Sequence, residues 1–335
     1  MYLVTGGAGF FGEVVIKELL SQGESVRCFD LNIPNITHPN LETITGDVRD
    51  TELVNNIFEG VNIVHHNIAQ VPLAKDKTLF WSVNHEGTAN LLKASLENNI
   101  EHFIYTSSSA VYGVPKQNPI NELSKKNPAE NYGKAKLAGE ELCKEYQYKG
   151  LNCSIIRPRT ILGQGRLGIF QILFEWIHLG LNIPVIDEGN NLYQFIHSKD
   201  LAKACIAAGK KPIGNSYNIG AQKFGSMRDA IQHVIDNSDS DSKIKSVSSR
   251  YTEKAMNIAS KLKFSPLGNY HALMYGKNFY FDTSHAEKEL NFSADYSNDE
   301  MFLESYKWYC LNRESILSGK KNGSKHQSAV KQRIL

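Results

Sequence analysis

Met1-Tyr2-Leu3-Val4-Thr5-Gly6-Gly7-Ala8-Gly9-Phe10-Phe11-Gly12 opens the chain, and its reading decides the fold. Tyr2 to Val4 is an apolar run suited to a buried strand. Gly6, Gly9 and Gly12 follow at G-x-x-G-x-x-G spacing, and Val14 to Leu20 then takes up helical periodicity. Gly6 permits a tight turn, Gly9 lets the backbone approach a pyrophosphate, and Gly12 lets the helix lie on the strand, while free N–H groups at the helix start attract negative charge. A second strand, Ser25 to Phe29, ends at Asp30. A carboxylate there accepts hydrogen bonds from both hydroxyls of an adenosine ribose and repels a 2′-phosphate. The expected cofactor is a dinucleotide, NAD in preference to NADP.

The 335 residues suffice for one large domain or two intimate ones. Hydrophobic residues at 41% and charged ones at 21% fit a globular protein. The net charge is +2, but residues 319–335 hold Lys320, Lys321, Lys325, Lys331 and Arg333 and no acid, which leaves the body at −3. A body of that sign is no nucleic-acid binder, and the basic tail is expected to be disordered. Cys28, Cys143, Cys153, Cys205 and Cys310 show no C-x-x-C spacing and read as reduced residues. With a strand beginning at residue 2 and no long uncharged apolar stretch, neither a leader nor membrane insertion is expected. The expected location is the cytoplasm.

Further strands are expected at Leu41 to Thr45, Val61 to His65, His102 to Thr106 and Leu151 to Arg157, each followed by a loop or helix. This alternation predicts an α/β fold, a doubly wound parallel sheet in which ligands collect beyond the carboxyl ends of the strands. Asp47 and Val48 stand at such an end and are assigned to the adenine, although Asp47 also suits a cap for the helix near Asp50. A helix is expected from about Pro72 to Asn98. Its Asn84 either reaches the cofactor or bonds to a neighbouring strand loop. His65 and His66 point to opposite faces of a strand with no third ligand near, so no metal is expected.

Ser107-Ser108-Ser109-Ala110-Val111-Tyr112-Gly113 closes the fifth strand, and Asn131-Tyr132-Gly133-Lys134-Ala135-Lys136 opens a helix that continues to Tyr148. Tyr132 and Lys136 are one helical turn apart on one face. An ammonium near the phenol favours the phenolate, so Tyr132 can take the proton of a substrate hydroxyl while Ser108 holds the same oxygen. Lys136 is assigned the tuning of Tyr132 and the nicotinamide ribose. Downstream, Gln164-Gly165-Arg166-Leu167-Gly168 puts an arginine between glycines, which suits an anionic diphosphate. Arg159 either binds phosphate or pairs with a surface acid. A helix is expected from Ile169 to Leu179, a small-domain strand at Ile183 to Ile186, and a strand Tyr193 to His197 returning to the large domain. Helix Ser198 to Gly209 and a last strand, Ser216 to Ile219, follow. Residues 237–250 read as an exposed loop, Thr252 to Lys263 as helical, and the aromatic-rich stretch 265–282, with Lys277, as pocket lining or as core. Helices near Ser284–Leu290 and Asn298–Leu317 finish the chain.

The motif Thr5-Gly6-Gly7-Ala8-Gly9-Phe10-Phe11-Gly12, Asp30, Asp47-Val48, Asn84, Thr106 to Gly113 and Tyr132-Gly133-Lys134-Ala135-Lys136 resembles the extended short-chain dehydrogenase/reductases, in particular nucleotide-sugar epimerases of the UDP-galactose 4-epimerase type. The resemblance covers roughly residues 1–310. It implies NAD held by Gly6, Gly9, Phe10, Phe11, Gly12, Asp30, Asp47, Val48, Asn84, Tyr132, Lys136 and the backbone at Pro158. It further implies catalysis by Ser108, Tyr132 and Lys136, and a nucleotide sugar held by Ser108, Thr160, Arg166 and Tyr193. A Rossmann domain (1–160 and 192–220), a substrate domain (161–191 and 221–318) and a homodimer packed through helices 72–98 and 129–149 are also implied. Tyr193 stands where the galactose epimerases carry an arginine. Related dehydratases carry Asp-Glu just after the catalytic hydroxyl; Ser109 and Ala110 stand there, which disfavours dehydration. Epimerisation at C4 through a 4-keto intermediate is the expectation. A net NAD-dependent dehydrogenase of a sugar or 3β-hydroxysteroid-like hydroxyl, and a non-catalytic dinucleotide sensor, are the alternatives.

Overall fold

In the computed structural model, residues 1–70, 80–168, 170–248 and 276–318 are described. The opening strand, β1 (Tyr2–Thr5), lies inside a seven-stranded sheet between β4 (Ile63–His66) and β2 (Val26–Asp30). The order is β10-β6-β5-β4-β1-β2-β3, with β3 at Leu41–Thr45, β5 at His102–Thr106, β6 at Cys153–Pro158 and β10 at Ser216–Ile219. Every pairing is parallel. Parallel strands need crossovers, and the helices that supply them cover both faces of the sheet.

Alternation along β1 sorts its side chains. Tyr2 and Val4 join a core with α1 (Phe10–Ser21), α6 (Ser198–Gly209) and α8 (Ser284–Leu290), whereas Leu3 joins the opposite core with α2 (Thr51–Asn56), α3 (Gly87–Glu97) and α4 (Asn131–Tyr148). A further core unites α5 (Phe170–His178), β8 (Ile183–Ile186), α7 (Met227–Asp236) and α9 (Asn298–Leu317) around Phe174, Phe195 and Phe302. Strand ends and most helix ends fall within a residue or two of expectation. The fold is the doubly wound α/β sheet that the opening stretch predicts.

β9 (Phe195–His197) pairs with β7 (Thr160–Leu162) in a separate two-stranded sheet, where Phe195 belongs to the core around Phe174 and Phe302. Three segments differ from expectation. Residues 237–250 are not all loop, since β11 (Ile244–Val247) pairs with β8 as a mostly exposed edge that lacks a clean apolar alternation. Helix α7 was passed over; its Ser226/Asp229 capping box and the spacing of Met227, Ala230, Ile231 and Val234 were the available signals. Finally, the segment expected as one helix to Asn98 contains a π turn, Ser82–Glu86, ahead of α3. Residues 71–79, the helix expected at 252–263, the stretch 265–275 and the basic tail lie outside the described residues.

Candidate active site

Gly6 has φ +70° and Gly9 is the N-cap of α1, its N–H donating to the Gly6 carbonyl at 3.1 Å. A Cβ on Gly12 would lie 2.1 Å from the Gly6 oxygen and 2.7 Å from the Gly7 Cα, so the helix begins directly on the turn and only hydrogen fits. A Cβ on Gly9 would meet only the Gly6 oxygen, at 3.1 Å, which leaves the space above the turn open. Asp30 ends β2 with Oδ2 accepting from the Ala8 N–H at 3.2 Å and Oδ1 accepting from the Asn32 N–H at 3.0 Å. The ribose acid and the glycine turn are therefore joined. An open cradle at a helix N-terminus, with a carboxylate beside it, fits a dinucleotide. The Phe10 and Phe11 side chains are buried in the α1 core, so these two positions offer backbone N–H groups and not rings.

The loops at the sheet mouth divide the remaining cofactor candidates. The Asp47 carboxylate is bound by the guanidinium and N–H of Arg49, which holds it below the usual carboxylate range, and the cap of α2 is Asp50, not Asp47. Asp47 therefore stays half-exposed at the mouth. Val48 is 4% exposed and packs on Gly87, where a Cβ would come within 2.4 Å of its Cγ1. Asn84 is likewise buried. Its Oδ1 accepts from the Gln70 N–H at 2.8 Å and its Nδ2 donates to the Gln70 carbonyl at 3.2 Å. Of the two readings, the structure shows the brace on the loop after β4, with the amide spent on backbone. The histidines of β4 are core residues: the His65 ring stacks on Tyr2 and His66 sits between the Thr5 and Thr88 hydroxyls.

Ser108 and Tyr132 come together. Ser108 caps the 3-10 turn Ser109–Tyr112, accepting from the Ala110 N–H at 3.2 Å, and its hydroxyl stands close enough to the Tyr132 phenol to act on its pKa. Gly133 makes this approach possible, because a Cβ there would lie 2.5 Å from the Ala110 oxygen. Burial raises the Tyr132 phenol above its ordinary range, while the Arg166 guanidinium and the Ser108 hydroxyl pull it back. Tyr132 is half-buried, so the mouth is not filled by core packing. Lys136 is 4% exposed, donates from Nζ to the Thr106 carbonyl at 2.7 Å, and lies 4.9 Å over the Tyr105 ring. Burial draws its pKa from 10.5 to about 8. The lysine ammonium is thus turned to the end of β5.

On the substrate side, Pro158 ends β6 beside Ile219 of β10, and Thr160 Oγ1 and the Tyr193 hydroxyl are hydrogen-bonded at 3.1 Å. Arg159 lies among aromatic rings. It is 1% exposed, stacks 3.7 Å from the Phe279 ring and 4.7 Å from that of Tyr193, and donates to Ser109 Oγ at 3.0 Å. Phe279 and Phe281 are buried, so the described end of the aromatic stretch is core, and Lys277 is exposed. Arg166 lies over Phe10 with its guanidinium 5.5 Å from the ring, between Gly165 (φ +81°) and Gly168 (φ +52°). The same loop is tied down by Gln164, which donates to Glu304, itself 2.8 Å from His197 Nε2. Among the described residues no group of three metal-ligating side chains occurs, and no helix is long and apolar enough to cross a membrane.

Comparisons with known proteins agree with this geometry. Residues 2–220 match the family described as NAD dependent epimerase/dehydratase. A Sinorhizobium fredii protein, "Uncharacterized protein y4nG", is 54% identical over 334 residues, covering 99% of this chain and 84% of its own. A Methanocaldococcus jannaschii protein, "Putative UDP-glucose 4-epimerase", is 31% identical over 254 residues, covering 70% and 82%. The solved UDP-glucuronic acid 4-epimerase from Bacillus cereus, in complex with NAD, superimposes with a TM-score of 0.74 at 22% identity, covering 92% of this chain and 98% of that one.

Proposed function

The chain belongs to the NAD-dependent epimerase/dehydratase family and its cofactor is NAD, and on that premise we propose that it epimerises a nucleoside diphosphate sugar at C4. The observation that carries this reading is the Ser108 hydroxyl beside the Tyr132 phenol, with Ser109 and Ala110 in the turn that Ser108 caps. Tyr132, as phenolate, takes the proton of the sugar hydroxyl, and Ser108 holds that oxygen as it becomes a carbonyl. NAD, when bound, supplies the hydride acceptor and the source for its return. After the 4-keto sugar has rotated to present its opposite face, Tyr132 returns the proton to the same oxygen. Neither Ser109 nor Ala110 has a pKa suited to the extra proton transfer that loss of water demands. The Methanocaldococcus and Bacillus proteins are described as 4-epimerases, which supports C4 as the reacting carbon.

In this reading Gly6, Gly9 and Gly12 border the pyrophosphate, Asp30 the adenosine ribose and Asp47 the adenine. Lys136 binds the nicotinamide ribose, Thr160 and Tyr193 the sugar, and Arg166 the sugar diphosphate near Tyr132. A cytoplasmic homodimer packed through α3 and α4 completes it, checked by size-exclusion chromatography with light scattering. Purified protein with bound NAD is expected to interconvert UDP-hexoses or UDP-hexuronates with no net NADH. Tyr132→Phe is expected to lower kcat by about 10²–10⁴ with little change in KM. Stoichiometric NADH would overturn epimerisation in favour of a net dehydrogenase, and a wild type without turnover on any of these sugars would leave dinucleotide sensing.

A further inference from the structure

Glu140 is fully buried and takes part in none of the steps above. It lies on α4 one turn past Lys136 and two turns past Tyr132, which places the three on one helical face. Its Oε1 accepts from Ser107 Oγ at 2.7 Å and from Arg157 Nε at 2.8 Å, and its Oε2 accepts from Arg157 Nη2 at 2.9 Å. Lys126 Nζ stands 3.8 Å from the same carboxylate. Arg157 carries the network onward by donating to the Tyr112 hydroxyl at 3.2 Å, and that hydroxyl donates to Asn218 Oδ1 at 2.9 Å. Ser107 immediately precedes Ser108, and Tyr112 closes the turn that Ser108 opens. One carboxylate therefore links the helix of the proposed proton-transfer residues to both ends of the serine turn and to β6.

The surroundings of Lys136 give this carboxylate a second task. Tyr105 and Thr106 face Lys136 from β5 and His66 from β4, and Cys143 and Glu140 act on it from its own helix. Burial keeps His66 neutral, its pKa pulled down to about 3, and keeps Cys143 a thiol. Glu140 is the anion of that set.

We propose that Glu140 is a positioning residue, whose carboxylate fixes Ser108 against Tyr132 through Ser107, Arg157 and Tyr112 and stands one helical turn from the Lys136 ammonium. The assignment rests on the proposed function for the roles of Ser108 and Tyr132. Removing the carboxylate alone strands the Arg157 charge, so the informative variant is the double Glu140→Leu/Arg157→Met, which removes both charges at similar volume. With UDP-hexose as substrate its kcat is expected to fall about tenfold or more while KM moves less than about threefold. Competitive acetylation of lysines, read peptide by peptide with no sugar present, is expected to show the Lys136 midpoint about one pH unit lower and Lys134 and Lys144 unmoved.

A folded double variant with wild-type kcat, or with an unmoved Lys136 midpoint, overturns the assignment. Ser107→Ala leaves the Glu140–Arg157 pair in place and is expected to lower kcat by about threefold to tenfold without moving that midpoint. An unchanged kcat in Ser107→Ala refutes the positioning role even where the double variant fails to fold. A wild-type protein inactive on nucleotide sugars defeats the proposed function, whereas the acetylation midpoint, which needs no turnover, still judges the Glu140 assignment.

Discussion

An ammonium inside a protein raises the free energy of the folded state, and Lys136 does so with 4% of its surface exposed and a pKa drawn from 10.5 to about 8. Because the folded value is the lower one, the unfolded chain holds more protons between pH 8 and 10.5, and stability rises with pH across that window. Urea unfolding is expected to show wild type gaining about 2–3 kcal/mol on Lys136→Met over that range, and a flat difference would mean that Lys136 is not desolvated. The glycines divide at the same scale. Gly12→Ala forces a methyl to 2.1 Å from a backbone oxygen and is expected to destabilise by about 3 kcal/mol or more, seen as a lowered melting temperature. Gly9→Ala meets only one atom at 3.1 Å, so its melting temperature is expected to stay near wild type while calorimetry shows NAD bound about tenfold more weakly. Both effects are legible in the G-x-x-G-x-x-G spacing, but their ranking is not, because it depends on how close the helix comes to the turn.

Among the elements, the π turn Ser82–Glu86 shows how a local irregularity serves a loop elsewhere. The widened turn holds Asn84, which satisfies both backbone groups of Gln70 at the mouth beside β4. Asn84→Ala is expected to cost about 1–3 kcal/mol and to speed hydrogen exchange at the Gln70 amide. Asn84→Asp, which keeps only the acceptor, is expected to preserve protection of that amide at part of the cost. Sequence reading reached Asn84 and named both partners, but the choice between them turns on which atom lies within 3 Å. Helix α7 was missed, although Ser226, Asp229 and the apolar spacing were all present. Strand β11 lacked even that signal, since an edge pairing is supplied by its partner β8.

At the scale of the molecule, the aromatic core beside the sheet anchors α9 under the loop that bears Arg166. Phe302 is fully buried with its ring 5.0 Å from those of Phe170 and Phe195, and Glu304, on the same helix, is held by Gln164 and His197. Phe302→Ala is expected to cost about 3–5 kcal/mol, read as a shifted urea midpoint, and to leave the NAD affinity of the glycine turn unchanged. A loss of NAD affinity would mean that the two cores are coupled more tightly than their separate packing indicates.

The order of strands and helices, the dinucleotide turn, the acid at Asp30 and the Ser108, Tyr132 and Lys136 set were all carried by the sequence itself, because periodicity, glycine spacing and a one-turn offset are local properties of the chain. What only the folded molecule decided was where each side chain spends its polar atoms. Val48 went into the core, Asn84 to a backbone and Arg159 under aromatic rings. Such outcomes depend on distances between segments remote in sequence, and a chain read residue by residue does not contain those distances.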